Sequence, residues 1–176
     1  PNARNYQQRL IDEYCAAGLE IDLAADMVRI LKNLLIHKYV INGDIPDRGP
    51  DTARILDHLV GDTRVLINWG NHDLLWMGAA AGSRELVAEL VRIQLRYGYQ
   101  EMLETDYGIS LATLAAFAVR TYRSAPVRGF QPSSPGASGR YDTPAVARMQ
   151  KAIAVILWKL EAARPDDLGV TPYLNL

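Results

Sequence analysis

The chain has 176 residues, 49% of them hydrophobic and 22% charged, and a formal net charge of -1. That length and apolar content suit one domain, or a large part of one, with a sizeable core. The balanced charge offers no basic excess for nucleic acid and no polybasic cluster for a membrane surface, and no apolar run is long enough to cross a bilayer. The single cysteine, Cys15, excludes an internal disulfide and suits a reducing, cytoplasmic setting. Set beside Ala16 and Ala17 in a helical pattern, it reads as a buried structural thiol.

Helical periodicity predicts a first helix near Tyr6 to Ala17 and a second over Leu23 to Ile36, the latter with an apolar stripe of Met27, Ile30, Leu31, Leu34 and Leu35. Tyr39, Val40 and Ile41 form a short β-prone run. Thr52 to Val60 reads as a helix with Ile55, Leu56, Leu59 and Val60 inward, stopped by Gly61. Arg64 to Trp69 reads as a second strand. Ser83 is the expected N-cap of a helix over Arg84–Tyr97 that Gly98 ends. Shorter helices are expected over Tyr99–Thr105 and Leu111–Tyr122. Residues 124–141, rich in proline, glycine and serine, read as a long mobile loop. Thr143 is the expected cap of a last helix with Pro144 at its first position and Val146, Met149, Ile153, Ile156, Leu157 and Leu160 along one stripe. Pro165 should end it.

Strand, helix and strand in so short a span make a βαβ unit with parallel strands. In such a unit both strand-to-helix loops leave at strand carboxyl ends, where open α/β sheets place their sites. The loops at Asp44–Pro50 and Gly70–Asp73 are therefore expected side by side. They carry Asp44, Asp47, Arg48, Asn71, His72 and Asp73. Carboxylate, amide oxygen and imidazole suit hard or borderline divalent metals. A carboxylate fixed directly after a strand, as Asp44 is, can bridge two ions, and Arg48 offers a planar fork for a phosphate. His72 can protonate a leaving oxygen while Asp47 orients its ring. The bland alternatives are a charged turn that caps the following helix at the first loop, and a turn with Asn71 as a cap at the second. The co-location of both motifs in one βαβ unit favours a site.

The two blocks, G-D-x-x-D-R-G over Gly43 to Gly49 and G-N-H-D over Gly70 to Asp73, resemble the calcineurin-like metallophosphoesterase superfamily. The longer block W-G-N-H-D-L-L-W-M-G-A-A-A-G-S, Trp69 to Ser83, is similar to class 3, firmicute-type fructose-1,6-bisphosphatases. So are Tyr107 to Leu111 and Met149 to Ile156 with Lys159 to Glu161. The resemblance implies an α/β fold: a partial metallophosphoesterase core, with a βαβ unit whose site loops sit at strand ends, in residues 1–97, and a helical extension or insertion in 98–176. It implies metal ligation by Asp44 and Asn71, catalytic roles for His72 and its partner Asp47, and phosphate binding by Arg48. The implied cofactor is a divalent metal pair, manganese first, with magnesium, zinc or iron as alternatives. The implied substrate is fructose 1,6-bisphosphate, cleaved at its 1-phosphate in gluconeogenesis, with no nucleic-acid or membrane partner.

No D-x-H motif, the superfamily's first metal-binding block, occurs in the chain, and His37 and His58 do not stand where the family places its histidine ligands. Pro46 stands where the family usually has an aromatic residue. The expectation is an internal portion of such an enzyme, with part of a metal site and little activity alone. The rival readings are another metallophosphoesterase, acting on phosphoproteins or nucleotides, and a non-catalytic remnant. Arg92, Arg96, Arg120 and Arg123 could meet a second phosphate, but a solvated helix face is the plainer reading. Trp76, Met77 and the Ala79–Ala81 run read as core.

Overall fold

The computed structural model describes residues 3–133 and 140–163. The chain is mostly helical, with one small sheet of two parallel strands, β1 (Tyr39–Ile41) and β2 (Val65–Ile67). The helices are α1 (Ala3–Ala16), α2 (Glu20–Leu35), α3 (Thr52–Leu59), α4 (Asn71–Ala80), α5 (Arg84–Tyr97), α6 (Gln100–Thr105), α7 (Ala112–Thr121) and α8 (Thr143–Ala162), with a 3-10 turn at Arg128–Phe130. Among the described residues no helix is long and apolar enough to cross a membrane.

The chain divides into two compact units, residues 1–41 with 63–66, and residues 42–62 with 67–176. In the first, the strands are tied where the Tyr39 N–H donates to the Arg64 carbonyl at 2.9 Å. Arg64 also donates to Asn33 Oδ1 at 2.8 Å and lies over the Tyr39 ring. The acidic first turn of α2, Glu20 and Asp22, and Lys32 in its last turn both suit the helix dipole. Its apolar stripe is not core, however. Met27, Ile30, Leu31, Leu34 and Leu35 are each more than half exposed, and α2 has no buried residue. Cys15 is exposed as well, against the buried thiol expected from its neighbours. A helical period states which residues share a face; it does not supply the element that covers them.

The second unit holds the core. It is built on α5 and α8, with α4 against α5 and α7 against α8. Val91 and Leu95 of α5 meet Val146, Met149, Ile153 and Leu157 of α8, and Trp76 of α4 packs against the same cluster. Gly78 explains how close α4 comes to α5, since a Cβ there would collide with the Leu86 side chain. Met77, on the other face of α4, is 49% exposed rather than core. On α3, Leu56 and Leu59 are half-buried, whereas Ile55 and Val60 face outward at 44% and 79% exposure.

The punctuation of α5 follows its sequence. Ser83 Oγ accepts the Leu86 N–H, and Gly98 closes the helix in the left-handed region at φ 81°. On α8 the cap sits one residue earlier than expected. Asp142, not Thr143, accepts the Ala145 N–H at 2.7 Å, which makes Pro144 the second residue of the helix rather than the first. A carboxylate outdoes a hydroxyl at this place because it also meets the positive end of the helix dipole. Pro165 lies outside the described residues. Of the loop expected over 124–141, residues 134–139 lie outside the described residues, and 124–133 are tied down: Arg96 donates to the Gln131 carbonyl at 2.7 Å, the Ser133 N–H donates to the Arg96 carbonyl, and Lys151 donates to the Pro126 carbonyl.

Candidate functional site

Two loops of the second unit meet at a pair of glycines. Gly43 adopts φ 82°, and a Cβ on it would lie 2.6 Å from the Asn68 carbonyl oxygen and 2.8 Å from Asp73 Oδ2. Gly70 has an ordinary extended backbone, but its Cβ would fall on the Asp44 carboxylate. Only two residues without side chains let the segments approach this closely. The strand expected over Arg64 to Trp69 ends early, at Ile67, and the chain turns into this junction.

Asp73 clamps the two loops together. Its Oδ2 accepts the Asp44 N–H at 2.6 Å and the Gly70 N–H at 2.8 Å, and its Oδ1 accepts the Ile45 N–H at 3.2 Å. The Gly70 bond is the backward reach of an N3 carboxylate to the residue that precedes the helix, so α4 is capped by Asp73 rather than by Asn71. Sequence reasoning placed Asp73 on the rim without a role. The signal was its position, third in a helix that opens after glycine. In return, Asp44 Oδ1 accepts the His72 N–H at 3.0 Å.

Asp44 and Arg48 both lie in the left-handed region at φ 53°, and Asp51 follows at 61°. For residues with a Cβ this conformation costs roughly 1–2 kcal/mol each. The Asp73 bond holds Asp44 there, and the Asp47 N–H closes a turn onto the Asp44 carbonyl at 3.1 Å. Strained residues are maintained only where surrounding bonds over-determine them, and they gather at sites of function.

Asp47 is the hub of the polar cluster. It takes Arg48 in a two-pronged pair, Nε to Oδ1 at 2.8 Å and Nη2 to Oδ2 at 3.2 Å. The same Oδ1 lies 3.1 Å from His72 Nε2. The hydrogen bond from Arg48 holds the Asp47 carboxyl below its usual range; burial opposes this, and the charges of His72 and Arg48 add to it. The reciprocal bond raises Arg48. The guanidinium stands 5.0 Å from the centre of the Tyr97 ring, so an aromatic face supports it from α5. His72 is mostly covered, with 17% of its side chain exposed, and its ring is oriented by a carboxylate.

Asp44, Asp47, Arg48 and His72 are thus joined by direct bonds, and Asn71, exposed, occupies the first position of α4 beside them. The metal candidates are fewer than an ion needs. Among the described residues no group of three or more His, Cys, Asp or Glu side chains is placed to hold a metal. Asp44 and Asn71 offer two side chains, where a well-bound zinc-type ion takes about three protein ligands or more. These residues alone therefore do not compose a metal shell.

Arg48 and His72 open onto a cleft of about 330 Å³ whose remaining lining is Arg92, Ile93, Arg96 and Tyr97 of α5. On the other side of the loop, Ile45, buried Pro46, Trp69 and Trp76 line an apolar hollow that backs the site.

Comparison with known proteins agrees with the long motif. Residues 1–165 match the family described as firmicute fructose-1,6-bisphosphatase. The class 3 fructose-1,6-bisphosphatase of Porphyromonas gingivalis is 38% identical over 164 residues, which cover 92% of this chain and 25% of that protein. The Clostridium botulinum protein of the same name is 39% identical over 160 residues, 89% of this chain and 24% of the relative. That of Listeria innocua is 40% identical over 149 residues, 81% and 23% respectively. The chain spans about a quarter of the length of these curated relatives. No solved structure matches it. With nearly its whole length matched, the chain belongs to the firmicute fructose-1,6-bisphosphatase family.

Proposed function

We propose that the chain carries the phosphate-handling part of a metallophosphoesterase-type site that hydrolyses the 1-phosphate of fructose 1,6-bisphosphate. The observation that carries this reading is the Arg48–Asp47–His72 cluster, held beside Asp44 by the Asp73 clamp, in a chain whose relatives are named for that activity. Arg48 presents a guanidinium that is always charged and pre-oriented by Asp47, and its fork fits phosphate oxygens. His72 has Nε2 turned to Asp47, so Nδ1 is the nitrogen that exchanges a proton with the substrate. As a water oxygen bonds to phosphorus and the P–O bond to the sugar breaks, donation from Nδ1 to the departing sugar oxygen offsets the charge that develops there. The cytoplasm, where sugar phosphates circulate, is the setting this chemistry suits.

A divalent metal pair, manganese first, is part of the same proposal. Asp44 and Asn71 would stand as two of its ligands, and the others would come from beyond the described residues.

The test is a chimera. In the Porphyromonas gingivalis relative, the matching quarter is replaced by this segment, and phosphate release is followed from fructose 1,6-bisphosphate, a phosphopeptide and a nucleoside monophosphate. Release from the sugar bisphosphate above the other two supports the reading. Preference for the phosphopeptide or nucleotide would move the chain to another phosphoesterase activity. A folded chimera that cleaves none of them would leave a non-catalytic role.

A further inference from the structure

We propose that Arg92 and Arg96 of α5 form a second phosphate subsite, which makes the cleft selective for a sugar bisphosphate over a monophosphate. This rests on the functional reading above, in which the reacting phosphate lies at the Arg48–His72 end.

Arg92 and Arg96 are four residues apart on one helix, so they share a face, and that face borders the cleft that Arg48 and His72 also line. Both are partly buried. Arg120 and Arg123, which the sequence groups with them, are exposed and do not line the cleft, as a solvated arginine should be.

Each subsite arginine is fixed from behind. Glu89 takes Arg92 Nε and Nη2 at 2.6 Å each. The Gln131 carbonyl takes Arg96 Nη1 at 2.7 Å, and the Ser133 N–H binds the Arg96 backbone. A guanidinium has five N–H donors, and these ties use only some of them. Orientation before binding lowers the entropy lost when an anion arrives.

Charge and size point the same way. Three guanidinium groups line the cleft and no carboxylate does; Asp47, Glu89 and Glu161 act on them from outside the lining. Like charges brought together in partly desolvated ground repel, and a polyanion relieves that repulsion. The cleft's volume lies at the lower end of small-molecule sites, about 300–1,000 Å³, and offers more room than one phosphate takes.

The experiment is calorimetric titration of the 176-residue chain with fructose 1,6-bisphosphate, fructose 1-phosphate and fructose 6-phosphate. The wild type should bind the bisphosphate at least about tenfold more tightly than either monophosphate. Arg96→Gln should weaken the bisphosphate and the 6-phosphate by about tenfold or more, in line with the cost of removing one partner of a charged pair. It should leave the 1-phosphate within about twofold. Arg48→Gln should do the reverse. Arg96→Lys keeps a donor for Gln131 and the positive charge, so it separates loss of the fork from loss of the fold; it should show an intermediate loss confined to the same two ligands. If Arg96→Gln changes no affinity while Arg48→Gln still weakens the 1-phosphate, the subsite is wrong and the functional reading stands. Equal weakening of all three ligands by Arg96→Gln also overturns the subsite. If the wild type binds none of the three, the subsite is overturned, while the functional reading stands or falls with phosphate release by the chimera.

Discussion

At Gly70 the side chain matters by its absence. The residue has an ordinary extended backbone, so no conformational demand calls for glycine; the demand is the Asp44 carboxylate lying where a Cβ would be. Gly70→Ala should cost about 1–3 kcal/mol, the usual penalty of overpacking, and should break the Asp44 to His72 bond. A thermal melt, with the His72 amide followed by NMR, checks both, and an unchanged midpoint would show that the loops are not as close as described. Asp47 gives a pH signature at the same scale. Arg48 holds it below its ordinary 3.8, so the ionised carboxylate contributes stability that is fully present above that value. The contribution is lost as pH falls through the lower folded value. Acid titration followed on the Arg48 and His72 side-chain signals should find the cluster intact down to about pH 3.8 and opening only below it. Opening well above that pH would contradict the pairing. Tyr107 is the opposite case. Its hydroxyl is buried without a hydrogen-bond partner among the described residues, its ring packs at 4.8 Å on Trp76, and burial pushes its phenol up. Tyr107→Phe removes an unsatisfied group and keeps the ring, so the melting midpoint should hold or rise. A loss above about 1 kcal/mol would mean that the hydroxyl has a partner.

At the scale of elements, helix ends decide what the sequence can tell. The bounds of α5 were legible because Ser83 and Gly98 each act through their own backbone or a residue three places on. The cap of α8 was misplaced by one residue because Asp142 and Thr143 are both competent caps, and the choice depends on how the preceding chain arrives. Asp142→Ala should lower stability by about 1 kcal/mol and Asp142→Asn should restore most of it, read from denaturant midpoints. If Asp142→Ala has no effect, the cap is made elsewhere. The stripe on α2 and the thiol of Cys15 show the complementary limit. Periodicity groups Met27, Ile30, Leu31, Leu34 and Leu35 correctly on one face, yet their burial depends on a partner surface that no local pattern encodes. The same limit applies to the arginines: only the packing of α5 separates Arg92 and Arg96 from Arg120 and Arg123.

At the scale of the molecule, the meeting of the two loops was legible from the strand–helix–strand order, and the structure joins them through Asp73, Asp44 and His72. The weight of helix was legible too: the helices expected over Arg84–Tyr97, Leu111–Tyr122 and after Thr143 are α5, α7 and α8, which dominate the chain, while the two strands have three residues each. Family membership rests on nearly the whole length of the chain, while the candidate site occupies two short loops within it. Phosphate handling by these loops through His72 is checked by steady-state kinetics of His72→Gln in the chimera with fructose 1,6-bisphosphate. With His72 as the proton donor, kcat should fall by about 10²–10⁴-fold while KM stays within a few-fold and the melting midpoint is unchanged. A kcat within about twofold of the parent chimera would show that the His72 ring takes no part in the chemistry, and the account of this site would be wrong.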